Sequence, residues 1–382
     1  MSPLARARRT AAWALATPGR LGLTIAAAVV AAAMAGLFFA WTGAYNIAAS
    51  RGHLAITEWL LRFGMENSVK ARAPDGELPP GFDADRVRLG AGHFHAGCAY
   101  CHGTPGSSVP LVAAQMLPPP PALEDKVGTW TDGELFWIVK HGLKYAGMPA
   151  FPSVERDDEI WAVVAFLRRF PELDRTAYRK LALGEVDLAP PSGAEIAATG
   201  GDREAIGACA RCHGNVRAPA SGLVPILHGQ PREMLENALR EYAAGRRDSG
   251  VMQTIAADLS DAAIRALASH YAGMPRPVTS PERLDPQAVA RGEKLAREGD
   301  PSHGVPACVS CHNEDASPTF PRLAGQSSRY LEGQLAAWRA GLNARSPTGR
   351  IMAPIGRRLT AEQAKDLAAY FAGQTPAGQV HR

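Results

Sequence analysis

Three short segments of the sequence share one pattern, in which two cysteines are separated by two residues and followed directly by a histidine. They are CAYCH at 98–102, CARCH at 209–213 and CVSCH at 308–312. Two thiols one helical turn apart can add to the two vinyl groups of a haem, and the adjacent histidine then reaches the iron. The sequence therefore predicts three covalently attached haem c groups. The predicted attachment residues are Cys98, Cys101, His102, Cys209, Cys212, His213, Cys308, Cys311 and His312.

A CxxC pair also occurs in redox disulfides and in zinc sites. A redox motif would normally lie in a βαβ segment, and no such pattern surrounds these copies. Zinc ribbons separate their CxxC pairs by roughly 15–20 residues, whereas these copies lie about 100 residues apart. All six cysteines fall in the three segments, which leaves none for structural disulfides. The recurrence favours haem attachment over both alternatives.

An iron bound by histidine needs a second axial ligand, and the soft thioether of methionine is suited to that position. After the first segment the candidate is Met148, which follows His102 by 46 residues. Met116 is nearer, but it precedes a proline-rich run and is expected to pack against the haem edge. Met148 is therefore the predicted ligand.

The second and third segments belong to an internal duplication, which assigns their methionines. PILHGQPREMLENALREY at 225–242 aligns with PRLAGQSSRYLEGQLAAW at 321–338, and VMQTIAADLS aligns with IMAPIGRRLT. This alignment places Met252 opposite Met352, which follow their histidines by 39 and 40 residues. The predicted iron ligands are therefore His102, Met148, His213, Met252, His312 and Met352.

Other methionines and histidines are weaker candidates. Met234 aligns with Tyr330 and Met274 with Gln374, exchanges that a shared iron ligand would not tolerate. The remaining histidines considered are expected to be surface or satisfied polar groups, and they are His93, His95, His228, His270 and His303.

Two prolines of the duplication are predicted to orient the proximal histidines. Pro225 and Pro321 open paired P-x-L-x-G-Q stretches, and a backbone carbonyl there can accept a hydrogen bond from the histidine Nδ1–H. Such a bond fixes the ring and raises its basicity. In the first segment the proline run 118–121 is the expected counterpart.

The surrounding sequence predicts an all-α fold, because no alternating run is long enough to suggest a sheet. TDGELFWIVKHGL predicts a helix with Thr131 as its N-cap, and 157–170 predicts another with acidic residues first and arginines last. The second and third units are expected to close with helices capped by Ser260 and Thr360.

The N-terminal part of the chain predicts a membrane anchor. Residues 21–41 form an apolar run without charge, and about 20 such residues can cross a bilayer. The arginines before the run predict a cytoplasmic N-terminus and an exported remainder. Without the four arginines that precede the run, Arg6, Arg8, Arg9 and Arg20, the chain has 37 basic and 37 acidic residues. The net charge therefore gives no nucleic-acid signature. Cleavage of the run as a signal peptide stays open.

Composition suggests the domain boundaries, with breaks at the proline- and glycine-rich stretches 189–202 and 274–286. The first unit is 83–188, the second unit is 195–277 and the third unit is 285–378. Before them we expect a cytoplasmic basic tail at 1–20, a transmembrane anchor at 21–42 and a juxtamembrane spacer at 43–82.

All three units resemble class I cytochrome c domains, with CxxCH early and a ligand methionine late. The tandem of the second and third units resembles the dihaem cytochrome c4 family in particular. The residues that carry this likeness are CARCHG and CVSCHN, LHGQ and LAGQ, and the segments that contain Met252 and Met352. The resemblance implies three cytochrome c domains after a transmembrane helix, with the c4-like pair related by a pseudo-twofold axis.

The resemblance also implies periplasmic one-electron transfer by a non-enzymatic carrier tethered to the bacterial inner membrane. The expected partners are redox proteins, namely a dehydrogenase or quinol-oxidising donor and an oxidase or soluble cytochrome acceptor. One alternative is a cytochrome subunit of a membrane-bound dehydrogenase complex. Another is a haem enzyme of the peroxidase or thiosulfate-oxidising type, which would need an open iron position.

Overall fold

The computed structural model describes residues 17–74, 81–184, 202–277, 279 and 282–376. Within these ranges the chain is helical, with two isolated bridges and no β-strand, which confirms the predicted all-α class. Several predicted regions lie partly or wholly outside the described residues. They are most of the basic tail, residues 75–80 of the spacer, the end of the first unit, the 189–202 break up to residue 201, the start of the second unit, part of the second break and the end of the third unit.

The α-helices of the described residues follow in chain order. They are α1 Pro18–Trp41, α2 Ala55–Lys70, α3 Ala84–Gly97, α4 Ala99–His102, α5 Leu123–Lys126, α6 Asp132–His141, α7 Asp157–Arg169, α8 Arg175–Leu183, α9 Asp202–His213, α10 Arg232–Ala243, α11 Gly250–Ala257, α12 Asp261–Ala272, α13 Pro286–Glu298, α14 Ser328–Arg339, α15 Gly349–Arg358 and α16 Ala361–Ala372. Short 3₁₀ segments occur at Ala113–Gln115, Val127–Thr129, Phe170–Glu172, Pro301–His303 and Cys308–Ser310.

Helix α1 corresponds to the predicted anchor and begins three residues earlier than the apolar run. Thr17 caps it by accepting a hydrogen bond from the Arg20 amide, and Pro18 occupies its first turn. Its 24 residues span about 36 Å at the helical rise per residue. The helix is long and apolar enough to cross a membrane, and a signal sequence would meet the same description.

The chain divides after Glu58 into two compact units, and the larger one contains all three CxxCH segments. Within this larger part, the predicted first unit, 83–188, contains α3 and α7, which pack together around the buried aromatic rings of Phe94, Phe166 and Phe170. Thr131 caps α6 as predicted, in a reciprocal capping box with Glu134. Helix α8 was not predicted from the sequence.

The second and third units repeat one arrangement. In the second unit, α9, which ends in the CxxCH segment, packs against the closing helix α12; in the third unit, α13, which precedes the CxxCH segment, packs against the closing helix α16. Ser260 caps α12 and Thr360 caps α16, as the sequence predicts. Among the described residues, the buried apolar cluster of the second unit is built on Leu235, Ala268 and Tyr271. A protein unit of this size has a small core, and a covalently held haem would enlarge it.

Two glycines allow the paired helices to approach closely. A Cβ atom on Gly90 of α3 would overlap the Ala162 carbonyl of α7, and one on Gly292 of α13 would overlap the Asp366 carbonyl of α16. The first and third units therefore share a helix crossing that only glycine permits. No feature of the sequence analysis singled out these positions.

We predict that Gly292→Ala destabilises the third unit by about 1–3 kcal/mol, because the added methyl group forces the two backbones apart. Gly333→Ala is the matched control, since Gly333 lies in α14 with open space around its Cα. The control should be stabilised by about 0.5–1 kcal/mol, the usual helical preference for alanine. Guanidinium unfolding followed by circular dichroism measures both. Equal effects at the two positions would contradict the close crossing.

Candidate haem sites

The three CxxCH segments adopt short helical turns. The first forms α4 after a break at Cys98, the second ends α9, and the third forms a 3₁₀ turn at Cys308–Ser310. Gly103 and Gly214 follow the histidines with φ angles of 74° and 76°, a left-handed conformation that favours glycine. Each turn brings its two cysteines and its histidine together within five residues.

The first cysteine of each pair packs against the apolar cluster of its own unit. Burial raises the pKa of Cys98, Cys209 and Cys308 to about 11 each. Each of these thiols therefore lies in an apolar environment, which suits a side chain bonded to the edge of a haem.

The proximal histidines of the second and third units are oriented by backbone carbonyls. His213 Nδ1 lies 3.1 Å from the Pro225 oxygen, and His312 Nδ1 lies 3.0 Å from the Pro321 oxygen. Burial lowers the pKa of both histidines, so each is a neutral imidazole that donates through Nδ1. The Nε2 lone pair is then available to a metal. These contacts confirm the predicted hydrogen bonds to the Pro225 and Pro321 carbonyls.

The first unit differs in this contact. Burial lowers the pKa of His102, and the Pro121 carbonyl raises it in opposition. Nevertheless, Nδ1 of His102 is buried and makes no hydrogen bond. Pro121 is thus the member of the proline run that faces the histidine, a choice that the sequence left open.

The three predicted methionines occupy two kinds of position. Met148 lies in a turn after α6, where the Leu143 amide donates to its carbonyl at 3.0 Å. Met252 and Met352 lie on α11 and α15. Ser249 caps α11, and its side chain accepts a hydrogen bond from the Met252 amide at 3.3 Å. The internal duplication thus places both of its methionines on equivalent helices.

Met116 packs against the turn that carries Met148, because a Cβ atom on Gly147 would overlap its terminal methyl group. The structure therefore brings both methionines of the first unit to one place. Met234 and Met274 pack against the apolar cluster of the second unit, as side chains with a structural role would.

The donor set fits haem c better than a bare metal ion. Among the described residues, no group of three or more histidine, cysteine, aspartate or glutamate side chains could hold a metal ion. Each CxxCH turn instead supplies two thiols and one oriented imidazole. When bound, haem c supplies a one-electron iron couple whose potential depends on its axial ligands and surroundings.

Comparison with known proteins agrees with this chemistry. A family model described as cytochrome c matches residues 289–374, and one described as cytochrome c oxidase, cbb3-type, subunit III matches residues 85–167. A cytochrome c4 of Thiocapsa roseopersicina is 33% identical over 181 residues, which cover 45% of this chain and 90% of the relative. The chain belongs to the c-type cytochromes. It contains a cytochrome c4-like region and binds haem c covalently.

A second relative is the thiosulfate dehydrogenase electron acceptor of Thiomonas intermedia (strain K12). It is 38% identical over 172 residues, which cover 44% of this chain and 78% of the relative. Among solved structures, a cytochrome c4 of Acidithiobacillus ferrooxidans is 32% identical, with a TM-score of 0.39, and the match covers 43% of this chain and 97% of that one.

The first unit of this cytochrome contacts the Met252-containing helix of the second through a buried carboxylate. Glu159 is 4% exposed, and its two oxygens accept from Ser249 Oγ at 2.8 Å and from the Gly250 amide at 2.6 Å. Arg156 Nη1 lies 2.9 Å from Glu159 and donates to the Asp248 carbonyl at 2.6 Å. Glu159 therefore holds the start of the helix that carries Met252.

The third unit joins the same junction. The Asp248 amide donates to Asn343 Oδ1 and the Asn343 amide donates to Asp248 Oδ2, each at 2.7 Å. Arg345 also donates to Asp248 at 2.6 Å. All three units thus meet at one network of buried polar groups, which the sequence analysis did not foresee because its partners lie about 90 residues apart.

We predict that Glu159→Ala lowers the free energy of unfolding by about 2–4 kcal/mol, because it leaves the buried Ser249 and Gly250 donors without an acceptor, while Arg156 keeps its pair with Asp158. Glu172→Ala is the control, since its pair with Arg169 is exposed and such pairs contribute about 0–1 kcal/mol. Guanidinium unfolding measures both variants. A loss at Glu159 no larger than at Glu172 would show that the junction contributes little.

Proposed function

We propose that the chain is a three-haem electron carrier in which each iron has one histidine and one methionine ligand. The proposed pairs are His102 with Met148, His213 with Met252, and His312 with Met352. The c4-like region is assigned to the second and third units, 195–277 and 285–378, and the first unit, 83–188, carries the additional haem. The observation that carries this proposal is the carbonyl-oriented proximal histidine in each of two aligned units.

The proposed ligand sets favour a carrier over an enzyme. An iron with both axial positions filled has no vacant position for a substrate, and haem catalysis needs such a position. The role of the protein is then to hold the ligands rigidly and to keep the three sites near one another. Helix capping by Ser249 and the carbonyls of Pro225 and Pro321 serve the first purpose.

A contact between the helix before the first CxxCH segment and the second CxxCH segment supports a relay through the chain. A Cβ atom on Gly92 of α3 would lie 3.4 Å from the Cys212 sulfur, so the helix leading to the first segment packs directly on the second. The Tyr178 hydroxyl lies 3.0 Å from His95 Nδ1 beside this contact. Electron tunnelling falls steeply with distance, so packing of this kind favours transfer between the first and second units.

The electron donor is proposed to be a sulfur-compound dehydrogenase. Two relatives, from Thiomonas intermedia and Stutzerimonas stutzeri, are named as electron acceptors of thiosulfate dehydrogenase. Both proteins match about half of this chain, which is the share that a c4-like pair would occupy. The acceptor is then an oxidase or another cytochrome reached through the remaining unit.

The chain is further proposed to be a single-pass protein of the bacterial inner membrane, with α1 uncleaved and the haem units in the periplasm. The length of α1 supports a full span, and the preceding arginines favour a cytoplasmic N-terminus. A second candidate role is a permanent cytochrome subunit of a membrane complex. The match of residues 85–167 to an oxidase subunit family favours that candidate.

Single replacements of the three methionines test the ligand assignment. We predict that Met148→Ala, Met252→Ala and Met352→Ala each convert one of three low-spin irons to a high-spin iron and weaken the methionine-to-iron charge-transfer band by a third. Optical and electron paramagnetic resonance spectra of the oxidised chain, purified from membranes after expression with a haem-maturation system, measure both changes.

Met116→Leu is the matched control, because Met116 lies against the same turn as Met148 but is not a proposed ligand. It should leave the band intact. Loss of the band in Met116→Leu and its retention in Met148→Ala would reverse the assignment. A high-spin iron in the unmodified chain would instead favour a haem enzyme. Mass spectrometry of the same preparation checks for three haems and an uncleaved α1.

A further inference from the structure

The two c4-like units exchange glutamine side chains across their contact. Gln326 of the third unit accepts from the Ile226 amide at 2.9 Å and donates to the Ile226 carbonyl at 2.6 Å. Gln230 of the second unit accepts from the Arg322 amide at 2.9 Å and donates to the Arg322 carbonyl at 2.8 Å. Both glutamines are buried, with 3% and 4% exposed. The four bonds form two equivalent pairs, one made by a side chain of the third unit to the second unit and the other by a side chain of the second unit to the third.

Each glutamine binds the residue directly after the proline that orients the other unit's histidine. Ile226 follows Pro225, whose carbonyl accepts from His213, and Arg322 follows Pro321, whose carbonyl accepts from His312. The proximal loop of each unit is therefore held by a side chain of its neighbour.

Each glutamine is itself fixed to its own unit. Gly229 and Gly325 precede the glutamines with φ angles of 65° and 70°. Their amides donate to the carbonyls of Tyr271 and Phe371, each at 2.9 Å, near the ends of the closing helices α12 and α16. A continuous set of contacts thus joins the closing helix of one unit to the proximal histidine of the other.

The first unit provides an internal comparison. Its proline run continues as PALED at 121–125 and contains no glutamine. There the Pro121 carbonyl faces His102 without a glutamine to hold it, and His102 Nδ1 does not reach the hydrogen-bond geometry that its two counterparts have.

We propose that Gln230 and Gln326 are positioning residues, each of which sets the proximal histidine of the opposite c4-like unit. This inference rests on the proposed haem ligation. A carbonyl held firmly against Nδ1–H makes the imidazole a stronger donor to iron, which favours the oxidised state. The potential of each haem in the pair then depends on a residue of the other unit.

The test replaces each glutamine with leucine, which has similar volume and makes no hydrogen bond. Gln326→Leu should raise the potential of the second haem and leave the third unchanged. Gln230→Leu should raise the potential of the third haem and leave the second unchanged. Gln363→Leu is the control, because Gln363 caps α16 and donates to Asp300 but does not bond a proline loop, and it should shift neither.

Redox titration of the full chain, followed by the hyperfine-shifted haem methyl resonances, measures each potential separately. The three methionine variants assign each resonance set to its haem. A shift in the haem of the mutated unit, or no shift in either haem, overturns the proposal. If a leucine variant fails to retain haem, Gln326→Ala removes the same two bonds without adding a branched side chain or a charge, and a rise confined to the second haem is again required.

Failure of this proposal differs from failure of the proposed function. Three low-spin haems without the crossed pattern would refute the glutamine role alone. Fewer than three haems, or a high-spin iron in the unmodified chain, would refute the proposed ligation itself.

Discussion

The two nitrogens of a proximal histidine impose the main constraint on this structure. One must be bonded to the protein so that the other is free and correctly directed. In the second and third units the backbone oxygens of Pro225 and Pro321 meet this requirement. Glutamine side chains of the neighbouring unit hydrogen-bond to the loops that carry these prolines. The second and third units are therefore joined where their histidines are held.

The junction around Glu159 extends the same logic to the first unit. Buried charges are stable only when their partners are complete, and the partners of Arg156, Glu159 and Asp248 come from all three units. Displacing one unit would leave several of these groups without partners at once. The network thereby fixes the start of the Met252 helix and joins the first unit to the second, where α3 also packs on Cys212.

Local chemistry was predictable from the sequence, and long-range contacts were not. The CxxCH turns, the caps at Thr131, Ser260 and Thr360, and the proline carbonyls all follow from short motifs or from the internal alignment. The glutamines stood in that alignment, but nothing in a one-dimensional pattern indicates that each reaches into the opposite unit. Buried ion pairs between distant segments, such as those at Glu159, carry no periodic signal. Packing also does not decide whether Met148 or Met116 is the iron ligand of the first unit, because the two side chains lie at the same turn.

Intramolecular electron transfer tests the central claim most directly. Rapid photoreduction of the full oxidised chain in detergent, at several protein concentrations, follows how one electron redistributes among the haems. A relay within one molecule predicts that equilibrium is reached at a rate independent of protein concentration, with all three haems participating. A rate that rises in proportion to concentration, or a haem that stays outside the equilibrium, would contradict it.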